Sequence, residues 1–232
     1  MAALTRADVK TLAEALLNAK GNLRWPDATK NSLADLANRE VWDLLVDAEN
    51  EWIGSRTSFS WPASAERVDL TSASCLNAEP KLVLDVYETE SSGTPSDTNV
   101  ATPWTPIDGR RRHRKRDDRD RQGRLCGASP RVAWSLQGNF MYATPPPSDA
   151  RNLHVEWVPQ ATPLSADGTE VLSGQAEAFG DAVAFRLAVL MNAKDNHNPA
   201  IGGLWEEAQR RIAESSSRQG QRNAVVGSRT WS

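Results

Sequence analysis

A chain of 232 residues is long enough to bury a sizeable core, about 70% of its unfolded surface. Its 39% apolar content and 14 glycines sit at the low edge of the globular range, so part of the chain is expected in loops, tail or interface. A net charge of −3, two isolated cysteines (Cys75 and Cys126) and no uninterrupted apolar stretch longer than Leu187 to Met191 argue against a disulfide framework, a zinc site, a signal core and a membrane span. A soluble protein of a reducing compartment is expected.

Thr5 followed by Asp8 has the spacing of a capping box, and Val9, Leu12, Ala13, Leu16 and Leu17 follow at helical intervals, predicting a first helix over residues 6–19. Gly21 and Pro26 interrupt it. Leu33, Leu36, Ala37, Val41, Leu44, Leu45, Ala48 and Trp52 then form one stripe of a long second helix. Trp42 lies off that stripe and is expected to meet a second surface, an inserted domain or a neighbouring subunit.

From Ser58 the period changes to two. Strands are predicted at residues 67–70, 81–87, 131–136, 139–143 and 152–157, with Gly138-Asn139 as a hairpin turn and residues 91–105 as a Ser/Thr/Pro/Gly loop. Pro145 to Pro147 stiffens a further connection. A small, mostly antiparallel β-domain with one exposed face is expected. Helix returns near Ala176 with apolar residues nearly all round, the pattern of a centrally buried helix. Asp195 to Asn198 breaks it, and Pro199 suits the first turn of a last helix lined by Ile201, Leu204, Trp205, Ala208 and Ile212.

Nine tryptophans against four phenylalanines and two tyrosines is an unusual balance, because the indole N–H needs a partner when it is buried. Most are expected half-buried in the core and several at subunit contacts. Residues 110–124 hold nine Lys/Arg and three Asp, a net +6 that leaves −9 for the remainder. Arg110, Arg111, Arg112, Arg114, Lys115 and Arg116 are either a solvated loop or a contact for an acidic partner or DNA. No helix-turn-helix surrounds them and no aromatic residue interleaves them for base stacking. Asp195-Asn196-His197-Asn198 reads as capping chemistry rather than a metal loop. No catalytic set, phosphate loop or cofactor motif can be picked out, so no enzyme, cofactor or metal is expected.

The order of parts resembles the adaptor, head-to-tail connector or upper tail tubular, proteins of tailed bacteriophages. The likeness rests on the capped first helix, the long second helix ending near Glu51-Trp52, the strand at residues 81–87, the run Gly138-Asn139-Phe140-Met141-Tyr142-Ala143-Thr144-Pro145-Pro146-Pro147, the strand at residues 153–157, and the helices at 179–194 and 204–214. It implies a virion protein, made in the host cytoplasm, that forms a ring of about twelve identical copies beneath the portal. Its partners would be the portal, the tail tube, nozzle or next neck protein, and the genomic DNA in the channel. A nucleic-acid-binding or packaging-associated protein, or a stopper lower in the same neck, are the alternatives.

An α+β fold is therefore expected. Residues 1–56 and 173–214 would form a four-helix bundle, residues 57–172 an inserted antiparallel β-domain, and residues 215–232 an extended tail. That tail has three arginines and no acid. Arg218, Arg222, Val225, Val226, Arg229 and Trp231 are its expected portal-docking residues.

Overall fold

The computed structural model describes residues 3–17, 25–48, 53–89, 101–106, 132–174, 176–192 and 199–227, with backbone alone at 89, 101–103, 105, 106, 174, 199 and 216–227. The chain divides into two compact units. One comprises Met1–Ile53 with Ala161–Ser232, and the other is the insertion Gly54–Gln160.

The helical unit contains α1 (Arg6–Leu16), α2 (Asp27–Asp47), α3 (Gly180–Asn192) and α4 (Pro199–Gly227). The capping box forms as the sequence predicts: Thr5 Oγ1 accepts from the Asp8 N–H, and the Asp8 carboxylate accepts from the Thr5 N–H at 2.9 Å. Pro199 opens α4, where its missing N–H costs nothing. Central placement of α3 follows from its composition. Ala182, Val183, Ala184, Leu187 and Ala188 are all fully buried, and α1, α2 and α4 each pack against it.

These helices are not a four-helix bundle, contrary to the sequence expectation. Lengths of 11, 21, 13 and 29 residues cannot share the continuous axial seam of such a bundle. Instead, the three outer helices surround the short α3, and the chain returning from the insertion completes the packing. That return adds two 3-10 turns, Val171–Gly174 and Glu177–Phe179. It also clamps the start of α1: Arg6 N–H donates to Thr169 O and Val171 N–H to Leu4 O, both at 2.9 Å. The buried Arg6 guanidinium reaches Leu164 O and, at 2.9 Å, Asp167.

The last helix also departs from expectation. Its backbone stays helical through Gly227, so residues 215–227 are not an extended tail. Ala213, Glu214, Gln219, Gln221, Arg222 and Ala224 tolerate helix well, no proline follows Pro199, and a glycine stands at the end.

On α2 the buried face is Ala34, Ala37, Asn38, Val41, Trp42, Leu45 and Val46. Leu33 and Leu44 are half-buried and Leu36 is 43% exposed. The face is thus rotated from the apolar stripe because it includes a polar residue, Asn38. Trp42, expected to meet an inserted domain or a neighbouring subunit, is fully buried.

The β unit is a two-sheet sandwich. Each sheet has three antiparallel strands and one short edge strand. The first, in the order β1-β8-β3-β4, joins Ser55–Trp61, Arg151–Pro159, Pro80–Thr89 and Ala101–Pro103. In the second, the order is β2-β7-β6-β5: Arg67–Asp69, Phe140–Thr144, Ala133–Gln137 and Thr105–Pro106, the last pairing parallel to β6. Gly138, at φ 58°, makes the expected turn between β6 and β7. Phe59, Trp61, Val83, Val86, Leu153, Val155 and Trp157 of the first sheet face Val68, Trp134, Met141 and Ala143 of the second across one core.

Four of the tryptophans belong to this core and each has its N–H satisfied. Trp61 donates to Ala65 O at 3.0 Å, Trp157 to Thr57 Oγ1 at 3.1 Å, Trp104 to Glu88 at 3.2 Å and Trp134 to Trp104 O at 3.2 Å. Trp104 lies where the chain leaves β4 for β5 and so passes from one sheet to the other. Its ring meets Trp61 at 5.3 Å.

Candidate assembly surfaces

Three surfaces carry groups that the cores do not use. The first is α4. Ile201, Ala208 and Ile212 are buried. Beyond Ile212 the helical backbone runs on through Gly227, about 22 Å at 1.5 Å per residue. Arg218, Arg222, Val225 and Val226 lie on that backbone, their side chains outside the described residues. Arg229 and Trp231 lie outside them altogether.

The second surface crosses three helices. Arg186 of α3 holds Glu40 of α2 through two hydrogen bonds, the longer 3.2 Å, and its guanidinium lies 5.3 Å from the centre of the Trp205 ring on α4. Six residues further along α4, Arg211 pairs with Asp181 at 2.6 Å. Leu204 is 38% exposed beside them in sequence. Each charged group already has a partner, so the surface reads as cross-helix bracing that leaves one leucine in solvent.

The outer face of the second sheet is the third. Alternation sends Val68, Met141, Ala143 and Trp134 inward and Arg67, Phe140, Tyr142, Ser135 and Gln137 outward. Phe140 is 36% exposed, the Arg67 guanidinium lies 4.9 Å from its ring centre, and Arg67 also donates to Tyr142 Oη at 3.4 Å. Sequence reasoning missed this cluster because Arg67 and Phe140 meet only through the β2–β7 pairing.

A Ser–His contact also exists on the first sheet. Ser58 Oγ and His154 Nδ1 are 2.9 Å apart, and burial pushes the His154 pKa below its ordinary value, with Arg56 adding to this and Glu156 opposing it. The contact gives a nitrogen of the buried imidazole a hydrogen-bond partner.

Among the described residues no group of three His, Cys, Asp or Glu side chains could hold a metal, and no helix is long and apolar enough to cross a membrane. Arg110, Arg111, Arg112, Arg114, Lys115 and Arg116 lie outside the described residues, as do Asp195 to Asn198. Of the nine tryptophans, Trp42, Trp61, Trp104, Trp134 and Trp157 are buried, and Trp25 and Trp205 are partly so. No protein-family model and no curated protein matches this chain.

Proposed function

We propose that this chain is a structural protein of a tailed-phage virion, a ring-forming adaptor that joins the portal to the tail and continues the DNA channel. The observation that carries the reading is the helix α4, which continues about 22 Å past Ile212, the last buried side chain described on it. A helix that long is more than the small α3 can cover. Its distal half combines arginines 218 and 222 with valines 225 and 226 and contains no acid after Glu214. Such a segment suits docking as a helix in a groove with acidic walls, where Arg pairs with carboxylates and Val supplies apolar anchors.

The division into two units supports the same role. The β unit is an insertion in the helical unit, so one subunit has two separate bodies with which to meet its neighbours, the portal and the tail tube, nozzle or next neck protein. Repetition around a ring of about twelve copies would multiply weak single contacts through avidity.

The test is to delete the residues after Arg218 and mix the protein with purified portal. Electron micrographs should show rings on the portal with the full chain and bare portals with the truncated one. Equal occupancy by both would refute the docking role of α4.

A further inference from the structure

Beyond the adaptor role, and independent of it, we propose that the Asp167-Gly168 turn is a modification site at which aspartate converts to isoaspartate, and that Arg6 and Lys10 of α1 hold this reaction in check. The dipeptide carries both reacting groups. Asp167 supplies a side-chain carboxyl, and Gly168 supplies the next backbone nitrogen with no Cβ to shield it. Both residues are exposed, so water reaches them. Neither packing nor backbone demands glycine here: a Cβ at 168 would meet nothing within 4 Å, and its φ is not left-handed.

The chemistry needs no reagent but water. The Gly168 nitrogen bonds to Asp167 Cγ, the Cγ–OH bond breaks, and the hydroxyl leaves as water with the amide proton, closing a succinimide ring. Water then opens the ring. Attack at the former side-chain carbonyl restores aspartate, and attack at the main-chain carbonyl gives isoaspartate, with the chain running through the old side chain. The ionised carboxylate reacts poorly, because it would have to expel oxide instead of water.

Both reacting groups are restrained from α1. Asp167 Oδ1 accepts from Lys10 Nζ at 2.8 Å and from Arg6 Nε at 2.9 Å, and these two bonds keep the carboxyl pKa below the usual carboxylate range. Arg6 is buried and Lys10 is tied to Asn31 Oδ1 of α2 at 2.9 Å, so neither cation is free to follow the carboxyl when it swings. The nitrogen is held too. The Asp167 carbonyl, which shares a peptide plane with the Gly168 nitrogen, accepts from the Ala7 N–H at 3.1 Å. On the far side Thr169 O accepts from the Arg6 N–H at 2.9 Å, and the Thr169 N–H closes the turn onto Ala166 O at 3.0 Å. Isomerisation therefore waits on local opening of this turn. Once formed, isoaspartate adds a methylene to the main chain and moves the carboxyl off both cations, which undoes the clamp on the start of α1.

The experiment ages the full chain in heavy-oxygen water, in buffer and in guanidinium chloride, and maps its peptides by mass spectrometry with fragmentation that separates aspartate from isoaspartate. Each passage through the succinimide leaves one heavy oxygen at Asp167. In buffer the parent should react about tenfold more slowly than in guanidinium, as expected of a turn that must open before it reacts. Lys10→Gln should raise the rate in buffer severalfold and leave the guanidinium rate unchanged, while Lys10→Arg should keep the parent rate. Leu45→Ala, which destabilises the fold but removes none of these contacts, should raise the rate less than Lys10→Gln and so separates the restraint from general loosening. Gly168→Ala should melt like the parent and react more slowly in both solvents. Equal parent rates in buffer and guanidinium, Lys10→Gln reacting no faster than Leu45→Ala, Gly168→Ala reacting like the parent, or no isoaspartate at this position in guanidinium would each overturn the proposal.

Discussion

Asn38 ties α2 to the chain that returns from the insertion, and Asn38→Ala tests that tie. The side chain is fully buried on α2. Its Oδ1 accepts from the Leu172 N–H at 2.8 Å and its Nδ2 donates to Thr162 O at 3.2 Å. Those bonds hold the chain that returns from the insertion, at a point where Leu172 and Ser173 both adopt φ 54°, a left-handed conformation rarely populated by such residues. Alanine would leave the buried Leu172 N–H without its partner, which costs about 1–3 kcal/mol. Thr162 is exposed and its carbonyl can turn to water, so the second bond adds less. With the small void left by the amide, the expected loss is about 2–4 kcal/mol. At a urea slope of about 2 kcal/mol per M, that lowers the midpoint of helix loss by about 1–2 M, read by far-UV circular dichroism. Asn38→Asp keeps the acceptor but buries a charge, and should be at least as damaging near neutral pH. A midpoint for Asn38→Ala within about 0.2 M of the parent would refute the claim that this amide holds the returning chain.

Leu45→Ala should cost about 2–5 kcal/mol because Leu45 is fully buried, whereas Leu44→Ala, at a half-buried position, should cost clearly less; the reverse order in thermal melts would mean that the buried face of α2 is misplaced. Stability should fall on acidification through His154. Its folded pKa lies below the ordinary 6.5, so the neutral form favours folding above that pH, and the contribution is lost as pH drops from 6.5 towards the lowered folded value. Melts of His154→Gln across this window should be flatter than those of the parent, and parallel curves would count against it. The fragment Gly54–Gln160 should fold alone, since its ends leave from the paired strands β1 and β8, where Ser55 faces Trp157; absence of a cooperative near-UV transition would contradict this.

Local rules make much of this protein legible in its sequence. The Thr5–Asp8 capping box, the Gly138 turn, the strands β2, β3, β6, β7 and β8, and the largely apolar α3 all follow from interactions within a few residues, and sequence records such spacing directly. Other features depend on groups far apart in the chain. Asn38 breaks an apolar stripe and yet lies at the centre of the buried face of α2, because Thr162 and Leu172 return to satisfy it. The end of the helix was hidden because residues 215–227 are polar enough to read as tail while containing nothing that stops a helix. Phe140 looked like any strand residue until β2 brought Arg67 over its ring. Periodicity reports which residues avoid water, whereas the partner that completes a buried amide or faces an exposed ring is chosen by tertiary packing alone.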